Sequence, residues 1–115
     1  SQERTSGPEL HLEAGQIKAR GRETPRGFLV YEGSQAALGE TPSADTRIRA
    51  MRKALVGNGV LEAADKTYVF TQDSSFTSPS IAAAIVLGRS ANGRTEWRTA
   101  EGSTLKEIQD AQVET

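Results

Sequence analysis

At 115 residues the chain is the size of one domain, long enough to build a core without covalent staples. It carries 14 Lys and Arg against 15 Asp and Glu, a net charge of −1, so it lacks the basic excess of a dedicated nucleic-acid binder, and any such binding needs a local patch. There is no cysteine, which excludes disulfides and thiolate chemistry and makes a cytoplasmic setting the default; no apolar run approaches the ~18 residues of a membrane span.

Residues 1–8 are polar, predict a disordered tail and lack the apolar stretch of a signal peptide. The chain does not begin with Met and is expected to be a domain excised from a longer protein, with residues 9–110 as the folded unit and 111–115 as a second tail. Leu10-His11-Leu12 and Ile17-Lys18-Ala19-Arg20 alternate about a turn at Glu13–Gln16, which predicts a β-hairpin. Gly21–Gly27 is loop by its Gly and Pro content. Phe28-Leu29-Val30-Tyr31 is apolar on both sides, as an inner strand is, and Ser34 can cap a short helical turn through Ala36-Ala37-Leu38.

Ser43 is the cap expected for an amphipathic helix over about 43–56, with Ile48, Met51, Arg52, Leu55 and Val56 at helical spacing. Gly57-Asn58-Gly59 stops it, and Val60-Leu61 with Thr67–Thr71 reads as a second hairpin. Gln72–Thr77 is expected to be a polar loop. The next helix, about 78–87, is the most apolar in the chain: Ser78 caps it, Pro79 takes the first position, Gly88 ends it, and Ile81–Leu87 has no polar face. Asn92-Gly93 signals a tight turn into a strand, Thr95-Glu96-Trp97. Ser103 then caps a short C-terminal helix with Leu105 and Ile108 inward. The sum is an α+β domain: an antiparallel sheet of about five or six short strands packed on two main helices, pivoting on the Ile81–Leu87 helix.

Phe76-x-Ser78-Pro79-Ser80-x-Ala82-Ala83…Gly88, then Asn92-Gly93-x-x-x-Trp97, then Gly102-x-Thr104-Leu105, resembles an uncharacterised bacterial domain family often found C-terminal to GIY-YIG nuclease-type domains. The pattern continues upstream in Gly27–Ala36 and Arg49–Gly59, so it covers roughly Leu10 to Ile108. The Ser-Pro-Ser and Asn-Gly…Trp features are also similar to the restriction-system adenine-methylase-associated (RAMA) domain. That resemblance implies a DNA-reading role, with one departure: RAMA-type domains carry an aromatic directly after Asn-Gly, where this chain has Arg94.

No catalytic constellation is found. His11 is the sole histidine, on the outer face of an edge strand, with no third group to orient it. Glu62, Asp65 and Asp73 follow no metal-loop spacing, and Gly57–Gly59 and Gly88–Gly93 are no phosphate loops, so no cofactor and no metal are expected. Three places can meet nucleic acid. Ser78 and Ser80 stand at a helix N-terminus that can receive a phosphate, although capping alone accounts for Ser78. Arg89, Asn92 and Arg94 flank a turn, and Trp97 either stacks on a base or, the favoured reading, fills the core. Arg47, Arg49, Arg52 and Lys53 spread over more than one helix face and read as a solvated surface unless they contact DNA; a further basic cluster spans Lys18–Arg26. Two functions follow as expectations: a non-enzymatic DNA-binding module attached to or partnering a catalytic domain, or a protein-interaction domain with no nucleic-acid contact.

Overall fold

The computed structural model of the protein describes residues 8–114. The tail expected at residues 1–8 falls, apart from Pro8, outside the described residues. The expected hairpin is formed by β1 (Leu10–Ala14) and β2 (Ile17–Thr24). Leu10, Leu12 and Ala19 face the core, while Lys18 and Arg20 face water. β2 runs past the predicted loop at Gly21 as far as Thr24. There β3 (Gly27–Val30) folds back on it, with Gly21 opposite Val30 and Thr24 opposite Gly27.

Ser34 caps no helix. The chain forms β4 (Gln35–Ala36), and the Ser34 hydroxyl accepts the Arg20 N–H at 3.0 Å and donates to the Arg20 carbonyl at 3.2 Å. Buried in this way, Ser34 stitches β2 to the second sheet. α1 (Thr46–Gly57) is capped by Asp45, whose Oδ1 accepts the Ile48 N–H at 2.9 Å. Ser43, the expected cap, instead accepts the N–H of Ser90 at 3.1 Å. β5 (Leu61–Ala64) and β6 (Thr67–Phe70) make the second predicted hairpin, and β4 joins the free edge of β6.

Within the segment expected to be loop, Ser74–Phe76 forms β7, pairing Phe28 with Phe76 along β3. An inner strand has two rows of backbone groups to satisfy, and β7 supplies the second set of partners while Phe76 enters the core. The strands therefore divide into two antiparallel sheets, β1-β2-β3-β7 and β4-β6-β5. This is the α+β class expected, with one sheet more.

α2 (Pro79–Leu87) lies against both sheets. Ser78 accepts the Ile81 N–H at 3.1 Å, Pro79 takes the first turn, and Gly88, at φ 68°, donates its N–H to Ala84 at 2.8 Å. Left-handed backbone favours glycine; the site is also crowded, since a Cβ on Gly88 would lie 2.3 Å from the Gly39 carbonyl oxygen. Ala82–Leu87 are all buried, and with Leu10, Leu12, Phe28, Val30, Leu61 and Phe70 they form one continuous core.

The predicted strand at Thr95–Trp97 is absent. Asn92 accepts the Arg94 N–H at 3.0 Å through Oδ1 and starts α3 (Gly93–Glu96), a single turn ending at Trp97. α4 (Leu105–Glu114) runs through positions expected to be tail. Its cap is Thr104 rather than Ser103. Thr104 Oγ1 accepts the Glu107 N–H at 3.1 Å while Glu107 accepts the Thr104 N–H at 2.8 Å. That reciprocal pair needs a carboxylate three residues after the cap, which Thr104 has and Ser103 lacks. Among the described residues no helix is long and apolar enough to cross a membrane.

Candidate nucleic-acid interface

Ser-Pro-Ser, Asn-Gly and Trp97 lock into one another. The Pro79 carbonyl accepts the Trp97 indole N–H at 3.0 Å, and the Ser80 hydroxyl accepts the Gly93 N–H at 2.9 Å. Trp97 is 0% exposed, its ring centroid 4.5 Å from that of Phe28. Of the two readings of Trp97 the structure has the favoured one, and the base-stacking alternative is corrected: the indole is core, because both its ring and its polar atom find partners inside. Gly93 packs so closely that a methyl group there would lie 2.2 Å from the Pro79 carbonyl carbon. Neither backbone can yield without uncapping α2, so Gly93→Ala is expected to destabilise the domain by about 1–3 kcal/mol or more in urea unfolding.

The remaining residues of that stretch are engaged within the chain. Ser78 is occupied as the helix cap. Arg89 pairs with Glu96 at 3.4 Å. Arg94 donates to Gln109 at 2.7 Å and to Asp110 at 3.3 Å, tying α3 to α4. A hydrogen bond from Lys106, reinforced by the charge of Arg94, holds the Asp110 carboxyl below the usual carboxylate range. Half-buried Ser80 and exposed Asn92 spend their side-chain oxygens on Gly93 and Arg94. The structure thus gathers all six expected residues around α2 and α3, where their interactions serve folding.

The basic helix divides. Arg52 is buried: Nε donates to Glu40 at 2.8 Å, the two terminal nitrogens donate to the Ile85 and Ala37 carbonyls, and the guanidinium stands 5.8 Å from the Tyr68 ring centroid. Arg49 donates to Ala44, Thr41 and Glu40. Arg47 and Lys53 are exposed and unpaired among the described residues. Beside them a cavity of about 520 Å³ opens between Glu40, Arg49, Arg52 and Tyr68.

The outer face of the four-stranded sheet is different. Lys18, Arg20 and Arg22 recur at every second position of β2 and are all exposed. Two residues of strand advance about 6.7 Å, so these cations form a ladder. Arg26 at the β2–β3 turn and Arg98 extend it; the Arg98 backbone bridges His11 beyond the β1 edge. Opposing them on this side are Glu9, 3.5 Å from Arg20, and Glu13, opposite Lys18 in register. Lys18, Arg22 and Arg26 have no ion-pair partner among the described residues. A chain of near-zero net charge thus presents a local cationic strip. The spacing of Lys18, Arg20 and Arg22 is the signal that points to it, and it is hidden by Gly21, which reads as the start of a loop. Among the described residues no three His, Asp or Glu side chains gather into a metal site; Asp73 accepts the Glu32 N–H at 2.8 Å.

Two antiparallel sheets around a doubly capped apolar helix, closed by the Ser80–Gly93 and Pro79–Trp97 bonds, define a small α+β domain of distinct design. Residues 10–109 match the model of the family described as Domain of unknown function (DUF4357), and the chain belongs to that family. No curated protein and no solved structure shows significant similarity to it.

Proposed function

We propose that this domain is a non-enzymatic DNA-binding module, and that it binds through the outer face of its four-stranded sheet rather than through the start of α2. The observation that carries the reading is the ladder of Lys18, Arg20 and Arg22, exposed on one face and, with Arg26 and Arg98, outnumbering the two acids beside it, Glu9 and Glu13. Such cations attract phosphates and release counterions, the sequence-independent part of nucleic-acid binding. The similarity to RAMA domains and to domains that follow GIY-YIG nuclease-type domains supports a cytoplasmic setting in bacterial restriction or DNA processing. There the module would position an attached or partner catalytic domain on DNA. The alternative, protein docking through an apolar patch, has less support: Leu38 and Val56 are the exposed large apolar side chains among the described residues.

The test is an anisotropy titration against labelled DNA at two salt concentrations. A Lys18→Gln/Arg20→Gln/Arg22→Gln variant is expected to bind at least about tenfold more weakly, with a salt slope shallower by roughly two to three. Unchanged affinity and slope in a folded variant would refute the assignment.

A further inference from the structure

We infer that the outer sheet face is built for single-stranded nucleic acid rather than for a duplex; this rests on the reading that the face binds nucleic acid at all. What carries it is a row of side chains running across the strands: Arg98, His11, Arg20, Tyr31. His11 and Arg98 exchange backbone hydrogen bonds of 2.6 and 2.9 Å, His11 stands opposite Arg20 in register, and the Tyr31 N–H donates to the Arg20 carbonyl at 2.9 Å. Residues directly opposite one another across a ladder share a face. The Arg20 guanidinium lies 5.3 Å from the Tyr31 ring centroid, which places the row on the outer side. Cation and ring therefore alternate, about 4.8 Å from strand to strand.

That alternation suits an unpaired strand. Its bases can lie on the rings while its phosphates meet the guanidiniums. In a duplex the base faces are stacked away and only edges show in the grooves. The major groove admits a helix or a two-stranded ribbon, not a flat face four strands wide. The row also ends in a cavity of about 420 Å³, lined by His11, Glu13, Arg98 and Thr99 among others. Its size is that of a small-ligand pocket. Its Glu13 carboxylate can accept from the exocyclic amine of a base, as carboxylates do from cytosine.

Glu9 supports the same reading. One oxygen of its carboxylate lies 3.6 Å from His11 Nε2 and 3.5 Å from Arg20 Nη1. An anion of the chain itself thus sits between two members of the row, where a phosphate would sit. Glu9 acts as a resident competitor that an incoming strand displaces.

The experiment is an anisotropy series on the full chain with labelled 12-nucleotide DNA, RNA of the same sequence, and the matching DNA duplex. The DNA and RNA arms distinguish the two sources of single strand. The expected result is single-strand affinity at least tenfold above duplex affinity. Tyr31→Ala should weaken the single-strand complex by about 5- to 150-fold, the range for loss of one stacked base, whereas Tyr31→Phe keeps it. Glu9→Gln should tighten it several-fold. Trp97 fluorescence reports that each variant is folded. Duplex binding as tight as single-strand binding, or a folded Tyr31→Ala variant of unchanged affinity, overturns this inference and leaves the cationic face standing. Binding of none of the probes overturns both.

Discussion

Trp97→Ala is expected to cost about 3–5 kcal/mol, the range for removing a fully buried large aromatic side chain. The indole contributes twice: its ring packs on Phe28, and its N–H satisfies the Pro79 carbonyl in the first turn of α2. Alanine would leave a cavity at the junction of α2, α3 and the first sheet, and would remove the bond that ties Trp97 to the first turn of α2. Small domains are stable by only about 5–15 kcal/mol, so much of the margin is lost, and the melting midpoint should fall by more than about 12 °C. Circular dichroism is the measurement, since the variant lacks the chain's only tryptophan. Trp97→Phe separates the two contributions: it keeps a ring against Phe28, loses the N–H, and is expected to cost less. A Trp97→Ala protein melting within a few degrees of the parent would show that the indole does not hold this junction.

Arg52→Ala should also be damaging, at about 2–6 kcal/mol for two carbonyls left without their donor, for a different reason. The guanidinium is the shared donor for Glu40 and for the Ile85 and Ala37 carbonyls. Glu40 is partly exposed and can rehydrate, so most of the loss falls on the two carbonyls. Arg52→Lys is expected to rescue little, because a compact ammonium cannot match a planar fork aimed at three separated acceptors. Urea unfolding of both variants checks this. If lysine restores full stability, a point charge suffices and the fork geometry is irrelevant.

Local signals in the sequence carry some of these features and not others. α2 is legible from end to end because its determinants, Ser78, Pro79, Gly88 and an unbroken apolar run, are all adjacent in the chain. The two hairpins and the inner strand at Phe28 are legible for the same reason. β7 is not, since Ser74 and Ser75 have no strand propensity of their own and pair only because β3 needs a second neighbour. The choice of Asp45 over Ser43 depends on Ser90, which arrives from the far side of α2 and takes the Ser43 hydroxyl. Arg52 reads as one more surface cation until α2 and the loop at Ala37 close over it. At the candidate site, the cluster Lys18–Arg26 is visible, but its division into outward Lys18, Arg20 and Arg22 and buried Gly21 depends on β3 lengthening the strand.

The bonds joining Ser80 to Gly93 and Pro79 to Trp97 have a consequence for heredity. Through them Ser80, Gly93, Pro79 and Trp97 are committed to one another, on the inner side of the domain. Two chains can share these bonds and yet meet different ligands, because the side chains of Lys18, Arg20 and Arg22 lie on another surface and can be exchanged without disturbing them. Kinship here is a statement about architecture, and the vocabulary of recognition is free to drift.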